Sequence, residues 1–211
     1  KILNQKITSI NRIGKNIIIK LDCSYIVFHL RMTGYLYHSK TVKPKSKYLR
    51  YSLLLSDGSY IYFEDIRKFG GFYYYTNLKK IKDKLGVDPF SKDFTNPWLY
   101  KQLKERKAKI KSLLLRQDII CGLGNIYIDE ILWKCKIKPT AESRKISRHK
   151  IKLLHKNTIK ILEDSITFHG TTIINFKFDN MKTGDYRKKL KIYGRKNQNC
   201  FRCKSTISIT K

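Results

Sequence analysis

Five short groups of residues carry the chemistry this chain can offer. Cys200-Phe201-Arg202-Cys203 spaces two thiols as a tight turn that grips one Zn²⁺ does. Structural zinc takes four ligands, and no His or Cys follows Cys203, so within the chain the pair is half a site; a redox dithiol is the other reading. The basic and aromatic surround (Tyr193, Arg195, Lys196, Phe201, Arg202) favours half of a nucleic-acid-binding zinc ribbon. Gly122-Leu123-Gly124-Asn125 stands before a helical run, where glycines admit an anion and free N–H groups bind phosphate. Taken alone, those four residues read better as a Gly C-cap followed by an Asn N-cap. Arg67-Lys68-Phe69-Gly70 follows Glu64-Asp65 at a strand end, where Phe can wedge between bases and Arg can fill a gap by hydrogen bonding. A solvated turn with a core Phe is the plainer account. Met32, in His29-Leu30-Arg31-Met32-Thr33-Gly34, reads first as a strand-end core residue, and Lys15 after Gly14 as a surface lysine.

The elements that must position these groups change character along the chain. Residues 6–76 are β-like: Ile17–Leu21, Tyr25–Leu30, Tyr51–Leu55, Tyr60–Phe63 and Phe72–Thr76 are rich in Ile, Val, Tyr and Phe and separated by turn residues. Asp57-Gly58 predicts a hairpin between two of them, since Gly accepts the positive φ of the turn. Strands so spaced predict a sandwich or barrel. From about residue 88 the pattern turns helical. Asn96-Pro97 opens one helix, which leads into the basic run Lys104–Lys111. A second starts near Asn125, and a third spans about 148–168 on Ile151, Leu154, Ile159, Leu162 and Ile166, ended by Gly170. Residues 171–192 read as loop, and a β-rich tail follows the cysteine pair. The expected fold is α+β and multidomain: a β-sandwich over 1–88, a helical domain over 89–190, and a partial zinc finger over 191–211.

Composition narrows the partner. Of 211 residues 41% are hydrophobic and 12% aromatic, too many for a disordered tail. Lys and Arg number 46 against 16 Asp and Glu, a net +30 that calls for a polyanion. Codon bias contributes to the lysine excess, so charge makes nucleic acid the leading partner without proving it. No run approaches the roughly 18 apolar residues of a membrane span, and the five cysteines, three of them scattered singly, do not form a secreted disulfide framework. A soluble cytoplasmic protein is expected, nucleoid-associated if bacterial, with no membrane partner. The chain opens on Lys1 and the apolar pattern starts at once, so a processed chain or a fragment is expected.

In family order, the pieces resemble the formamidopyrimidine-DNA glycosylase family nearly end to end. The most specific stretch is Leu113–Pro139, where Gly122-Leu123-Gly124-Asn125-Ile126-Tyr127 runs through Glu130 to Ile137-Lys138-Pro139, similar to the family's helix–two-turn–helix signature. Arg12-Ile13-Gly14-Lys15, His29–Gly34, Asp65–Gly70, Leu85-Gly86-Val87-Asp88-Pro89, Gly170-Thr171-Thr172 and Tyr193-Gly194-Arg195 also match. The related endonuclease VIII branch, acting on oxidised pyrimidines, shares the architecture; Gly170-Thr171-Thr172 and the Asp-x-Arg-x-Phe-Gly loop favour the formamidopyrimidine branch.

The resemblance implies a monomeric base-excision enzyme that removes formamidopyrimidine and 8-oxoguanine from damaged double-stranded DNA and cleaves the strand by β-elimination. Under it, Lys15 is the lysine near the lesion that assists proton transfer. Met32, Arg67 and Phe69 fill the gap left by the extruded nucleotide, with Arg67 facing the orphaned cytosine. Asn125 binds phosphate, as does Arg106 or its neighbour Lys107, and Cys200 and Cys203 are two of four zinc ligands. The family's amine nucleophile is an N-terminal Pro followed by Glu, and neither is among these residues, nor are the second zinc pair and the finger-tip arginine. The expectation is an internal fragment, inactive alone, or a catalytically dead DNA-binding remnant. Lys68 stands where Arg is usual, a backbone-contact position, and Lys cannot grip phosphate bidentately. Tyr48 stands where a DNA-contacting His is frequent, Asp65-Ile66 replaces Asp-Pro, and Ile174 takes a position commonly held by Lys in a divergent loop.

Overall fold

Alternating Ile, Phe and Tyr build the first half of the chain into two antiparallel sheets. β1 (Ile7–Ile13), β2 (Asn16–Leu21), β3 (Tyr25–His29) and β7 (Gly71–Tyr75) pair in the order β1-β2-β3-β7. β4 (Gly34–Ser39), β5 (Leu49–Leu54) and β6 (Tyr60–Asp65) pair in the order β4-β6-β5. This computed structural model describes residues 2–42, 46–172 and 183–209; Ile174 lies outside them. The cross-strand pairs Ile19↔Ile26, Ile17↔Phe28 and Phe28↔Phe72 put one apolar face of the four-stranded sheet inward. It meets Phe63, Leu36, Leu53 and Ile61 of the other sheet, with the Phe28 ring 5.5 Å from Phe63 and 5.2 Å from Phe72. This is the expected sandwich. Two of its strands, β1 and β4, were not separate runs in the sequence: β1 is an edge strand with Thr8, Ser9, Asn11 and Arg12 along it, so no alternation marks it. The Asp57-Gly58 hairpin joins β5 to β6 with Gly58 at φ 79°, and Asp57 Oδ1 accepts the Ser59 N–H at 2.9 Å.

The helical part holds α1 (Lys79–Lys82), α2 (Asn96–Lys104), α3 (Ile110–Leu114), α4 (Asn125–Lys134) and α5 (Arg148–Thr167). Thr95 caps α2, its Oγ1 accepting the Trp98 N–H, and Pro97 sits in the first turn. Leu99, Leu103, Ile110, Leu114, Ile128, Ile131, Ile151 and Leu154 are all 1% exposed or less and form the helical core. α2 stops at a C-cap on Glu105, Lys109 is extended, and α3 restarts at Ile110. Ser143 holds the break: its hydroxyl donates to the Arg106 carbonyl and its N–H to the Ala108 carbonyl at 2.8 Å. Ile166, read as part of the α5 apolar stripe, is 64% exposed in the last turn. His169 and Gly170 then take positive φ and end the run. The expected β-rich tail is reduced to one bridge, Asn199↔Thr206, closing a tight turn around the cysteines.

The chain clusters into two compact units, Lys1–Lys80 with Phe168–Arg187, and Ile81–Thr167 with Lys188–Lys211. The boundaries differ from the 88 and 190 of the sequence partition because the chain doubles back after α5. Asp185 N–H bonds the Phe168 carbonyl at 2.9 Å and Tyr186 N–H the Gly170 carbonyl at 3.1 Å.

Candidate nucleic-acid interface

Two turns of the β unit carry Met32 and Arg67–Phe69. The β3–β4 turn is tight: Arg31 sits at φ 51°, Gly34 N–H bonds the Leu30 carbonyl at 2.9 Å, and a Cβ on Gly34 would lie 2.4 Å from that oxygen. The β6–β7 turn turns over at Lys68, φ 58°. Asp65, 1% exposed, ties the two together. Its Oδ1 accepts from the Thr33 hydroxyl and from the Arg67 N–H at 3.2 Å, and its Oδ2 from the Gly70 N–H at 2.6 Å. Thr33 Oγ1 in turn accepts the Arg67 N–H at 3.1 Å. Burial pushes the Asp65 carboxyl up, but the donors of Thr33, Gly70, Arg67 and Phe69 outweigh it and hold the group below its ordinary value. Tyr48 backs this turn through its backbone: its carbonyl accepts the Asp65 N–H at 2.9 Å, and Arg50 Nε donates to the Asp65 carbonyl at 2.9 Å.

The tie brings Met32, Arg67 and Phe69 together. Arg67 Nη1 lies 3.2 Å from Met32 Sδ, and its guanidinium carbon 4.7 Å from the centre of the Phe69 ring. Met32 is 66% and Phe69 56% exposed, so neither is the core residue of the plainer reading. Burying a side chain of this size is worth roughly 1.5–3 kcal/mol, a gain left for a partner to realise.

On the same unit, Gly14 at φ 57° makes the β1–β2 turn that presents Lys15. Lys15 is exposed as a residue, yet its ammonium is desolvated and repelled by Arg31, and both effects lower its pKa. His29 is likewise lowered, by burial first and then by Arg31 and Lys15. Its Nδ1 accepts the Arg31 N–H at 3.1 Å, so that nitrogen carries no proton here. His29 and Arg31 escaped the sequence reading, although both belong to the motif that nominated Met32.

The helical unit holds the other candidates. Asn125 is the exposed first residue of α4, not its cap; Gly124 is the N-cap, extended at φ −131°, and no side chain caps the helix or adds an acid to its first turn. The helix therefore presents its N–H groups and the positive end of its dipole. Gln117 builds the preceding loop, its Oε1 accepting the Gly122 N–H at 3.0 Å and its Nε2 donating to the Leu115 and Leu123 carbonyls at 2.9 and 2.8 Å. Leu85-Gly86-Val87 runs beside that loop, and a Cβ on Gly86 would lie 2.0 Å from the Ile119 carbonyl oxygen. Arg106 is half-buried with Nη1 on the Gln102 carbonyl at 3.0 Å, while Lys107 is exposed. Buried Glu130 on α4 accepts the N–H groups of Lys191, Ile192 and Tyr193 at 2.8–2.9 Å, which anchors the strand leading to the cysteines.

Cys200 is buried and Cys203 exposed. Trp133 Nε1 donates to Cys200 Sγ at 3.4 Å, and Arg202 stacks over the Trp133 ring at 4.2 Å. The indole bond, then the N–H groups of Cys203 and Arg202, pull the Cys200 thiol down to about 6. Such a thiol suits a metal, but the pair is half a tetrahedral set, and among the described residues no three His, Cys, Asp or Glu converge on a metal position. The described residues alone do not fit a complete zinc centre. Among them, too, no helix is long and apolar enough to cross a membrane.

Comparisons with known proteins agree with this geometry. Residues 1–72 match the formamidopyrimidine-DNA glycosylase N-terminal domain and residues 85–177 the formamidopyrimidine-DNA glycosylase H2TH domain. The formamidopyrimidine-DNA glycosylase of Lactobacillus helveticus is 36% identical over 204 residues, 94% of this chain and 74% of that protein. That of Mycoplasma genitalium is 37% identical over 208 residues, 97% of this chain and 73% of the relative. Lactococcus lactis Fpg, solved in complex with DNA containing an abasic site, superposes with a TM-score of 0.89 at 31% identity, covering 98% of this chain and 78% of that one. The same enzyme, as a mutant bound to DNA containing Fapy-dG, also superposes at 0.89, with 33% identity over 98% of this chain and 78% of that one. Two family domains laid along the chain in order, over a fold that superposes almost throughout, place this protein in the formamidopyrimidine-DNA glycosylase family.

Proposed function

We propose that this chain is the DNA-engaging body of a base-excision glycosylase that removes oxidised purines from double-stranded DNA and then cleaves the abasic strand. The observation that carries the reading is the exposed Met32–Arg67–Phe69 contact, latched by Asp65 across two turns. A glycosylase must swing its target out of the stack, which costs a few kcal/mol of unstacking and unpairing. An apolar ring, a thioether and a guanidinium in one patch offset that cost: Phe69 and Met32 take the vacated stacking surface, and Arg67 donates to the unpaired base opposite.

The remaining roles follow the chemistry of each position. Asn125 and the uncapped start of α4 bind one backbone phosphate, and Arg106 or Lys107 a second; Tyr48 and Lys68 line the strand beside the wedge. Lys15, with its lowered pKa, exchanges a proton near the extruded sugar during strand cleavage. In the family the amine that attacks C1′ and forms the Schiff base is an N-terminal proline, which is not among these 211 residues. In this reading residues 1–88 handle the lesion, residues 89–190 the backbone, and 191–211 contribute Cys200 and Cys203 as two of four zinc ligands. The protein acts as a monomer in the cytoplasm.

The test is binding and trapping by the 211-residue polypeptide. It should prefer a duplex bearing an abasic analogue over the intact duplex, and Phe69→Ala or Arg67→Ala should erase the preference while leaving general DNA affinity. Borohydride should trap no covalent adduct of the 211-residue polypeptide on an 8-oxoguanine duplex, since the proline amine that attacks C1′ in the family is not among its residues; efficient trapping would mean that another amine, Lys15 first, replaces it. Equal affinity for intact and abasic duplexes refutes the reading. A preference for duplexes carrying oxidised pyrimidines would move the protein to the endonuclease VIII branch.

A further inference from the structure

The four-stranded sheet has a second face, opposite the Phe28 core. Strand register sets Asn16, His29 and Gly71 in one row across β2, β3 and β7 on that face, and Val27 beside Tyr73 in the next. Side chains ordinarily stand off a sheet. Tyr73 instead lies down along its strand: a Cβ on Gly71 would sit 2.3 Å from the Tyr73 hydroxyl oxygen and 2.4 Å from two ring carbons. The ring thus occupies the space over Gly71 that a side chain there would fill, and its hydroxyl reaches the row of His29, one residue from the turn that presents Lys15. Tyr73 remains 45% exposed.

We propose that Tyr73 is a further DNA-contacting residue, its hydroxyl donating to a phosphate oxygen of the strand that Lys15 and His29 face. This rests on the glycosylase reading above. Lys15 and Arg31 crowd like charges beside the neutral His29 ring, and a phosphate is the ligand that relieves them. Phosphate oxygens accept readily from neutral hydroxyls beside cationic donors, and the phenol adds a bond without adding repulsion. Gly71 is then a specificity of this site: it is the empty position that lets the ring lie flat.

The experiment is equilibrium binding of the 211-residue chain to a duplex with a tetrahydrofuran abasic analogue at several salt concentrations. Tyr73→Phe should weaken binding at least about 10-fold at every salt concentration, as expected for one lost bond to a charged acceptor. The slope of log affinity against log salt should not change, because a phenol releases no counterion, whereas Lys15→Ala should flatten it by about 0.9. The three atoms nearest a Cβ on Gly71 all belong to the Tyr73 side chain, so Gly71→Ala should turn that ring away, keep the fold by circular dichroism and weaken binding as much as Tyr73→Phe; the double variant should be no weaker than either. Unchanged affinity for Tyr73→Phe, a changed salt slope, or losses that multiply in the double variant would each overturn the proposal while the glycosylase reading stands. A parent chain that does not bind the abasic duplex overturns both.

Discussion

Asp65→Asn isolates the latch of the wedge turns with the smallest change in shape. The carboxylate takes two donors on Oδ1, the Thr33 hydroxyl and the Arg67 N–H, and one on Oδ2, the Gly70 N–H at 2.6 Å. An amide keeps the first oxygen and turns an NH₂ toward the Gly70 N–H, so one charge-assisted bond is lost and two donors face each other in a site 1% exposed. A lost bond to a charged group and a buried donor without a partner cost about 1–3 kcal/mol each, so the variant should lose on the order of 2–6 kcal/mol. At roughly 4–8 °C per kcal/mol for a unit of this size, its β unit should melt more than about 10 °C lower at pH 7. The acid limb should change with it. Because the native carboxyl titrates below its ordinary value, the unfolded chain binds the extra proton as pH falls; the parent holds this stability above about pH 4 and loses it as pH drops through the lowered native value. The variant has no such proton to bind, so its deficit should shrink toward low pH. Differential scanning calorimetry from pH 3 to 7 reads both effects. A variant that melts within about 2 °C of the parent at pH 7, or keeps a constant deficit across the series, refutes the carboxylate as the latch.

Gly86→Ala should destabilise the helical unit by at least about 2 kcal/mol in urea, because the new methyl meets the Ile119 carbonyl backbone at 2.0 Å and the backbone has nowhere to yield. His29 predicts a second pH effect: its native pKa lies below the ordinary value, so the unfolded chain binds more protons between the two, and stability should rise with pH up to about 6.5. His29→Gln should flatten that rise in a series of urea midpoints, and an unaltered slope would contradict an imidazole held neutral by burial and, after it, by Arg31 and Lys15. Affinity for any duplex should fall steeply between low and moderate salt, given +30 of net charge, and a flat response would contradict phosphate neutralisation as its source.

What could be read from the sequence follows the range of the interactions involved. β2, β3, β5, β6 and β7 were legible because alternating Ile, Phe and Tyr are their own signal, and α2, α4 and α5 because caps and a 3.6-residue stripe are local. β1 and β4 were not: the isoleucines of β1 recur every third residue (Ile7, Ile10, Ile13) rather than every second, and β4 sets one aliphatic residue, Leu36, among Gly34, Tyr35, Tyr37, His38 and Ser39. α3 is five residues long and exists because Ser143, more than thirty residues away, fixes the break before it. Met32 and Phe69 were each core-like by type. Only the contact of Thr33 with Asp65, 32 residues apart, turns both outward into one patch, and no local pattern encodes it. The resemblance nominated the two turns; the carboxylate that joins them, and the Gln117 that builds the loop before Asn125, belong to the fold.

The use of acid in this chain makes sense of its charge. With 16 carboxylates to 46 Lys and Arg, each Asp or Glu paired with a surface cation, as Asp129 is with Lys111 and Asp118 with Arg116, removes one phosphate contact. The two carboxylates buried among the described residues, Asp65 and Glu130, are placed otherwise. Glu130 is satisfied wholly by three backbone N–H groups, and Asp65 by two of them with a hydroxyl. A buried carboxylate satisfied in this way is stable without an ion-pair partner, because several oriented donors replace the lost hydration. Each organises a segment crowded with cations and aromatics, Arg67 and Phe69 in one case and Lys191, Tyr193 and Arg195 in the other, and neutralises none of them. Their charges are left for a polyanion, Arg195 even while its guanidinium donates to the Lys191 and Asn199 carbonyls, and the backbone that carries them is fixed beforehand, so binding need not meet the entropy of ordering it.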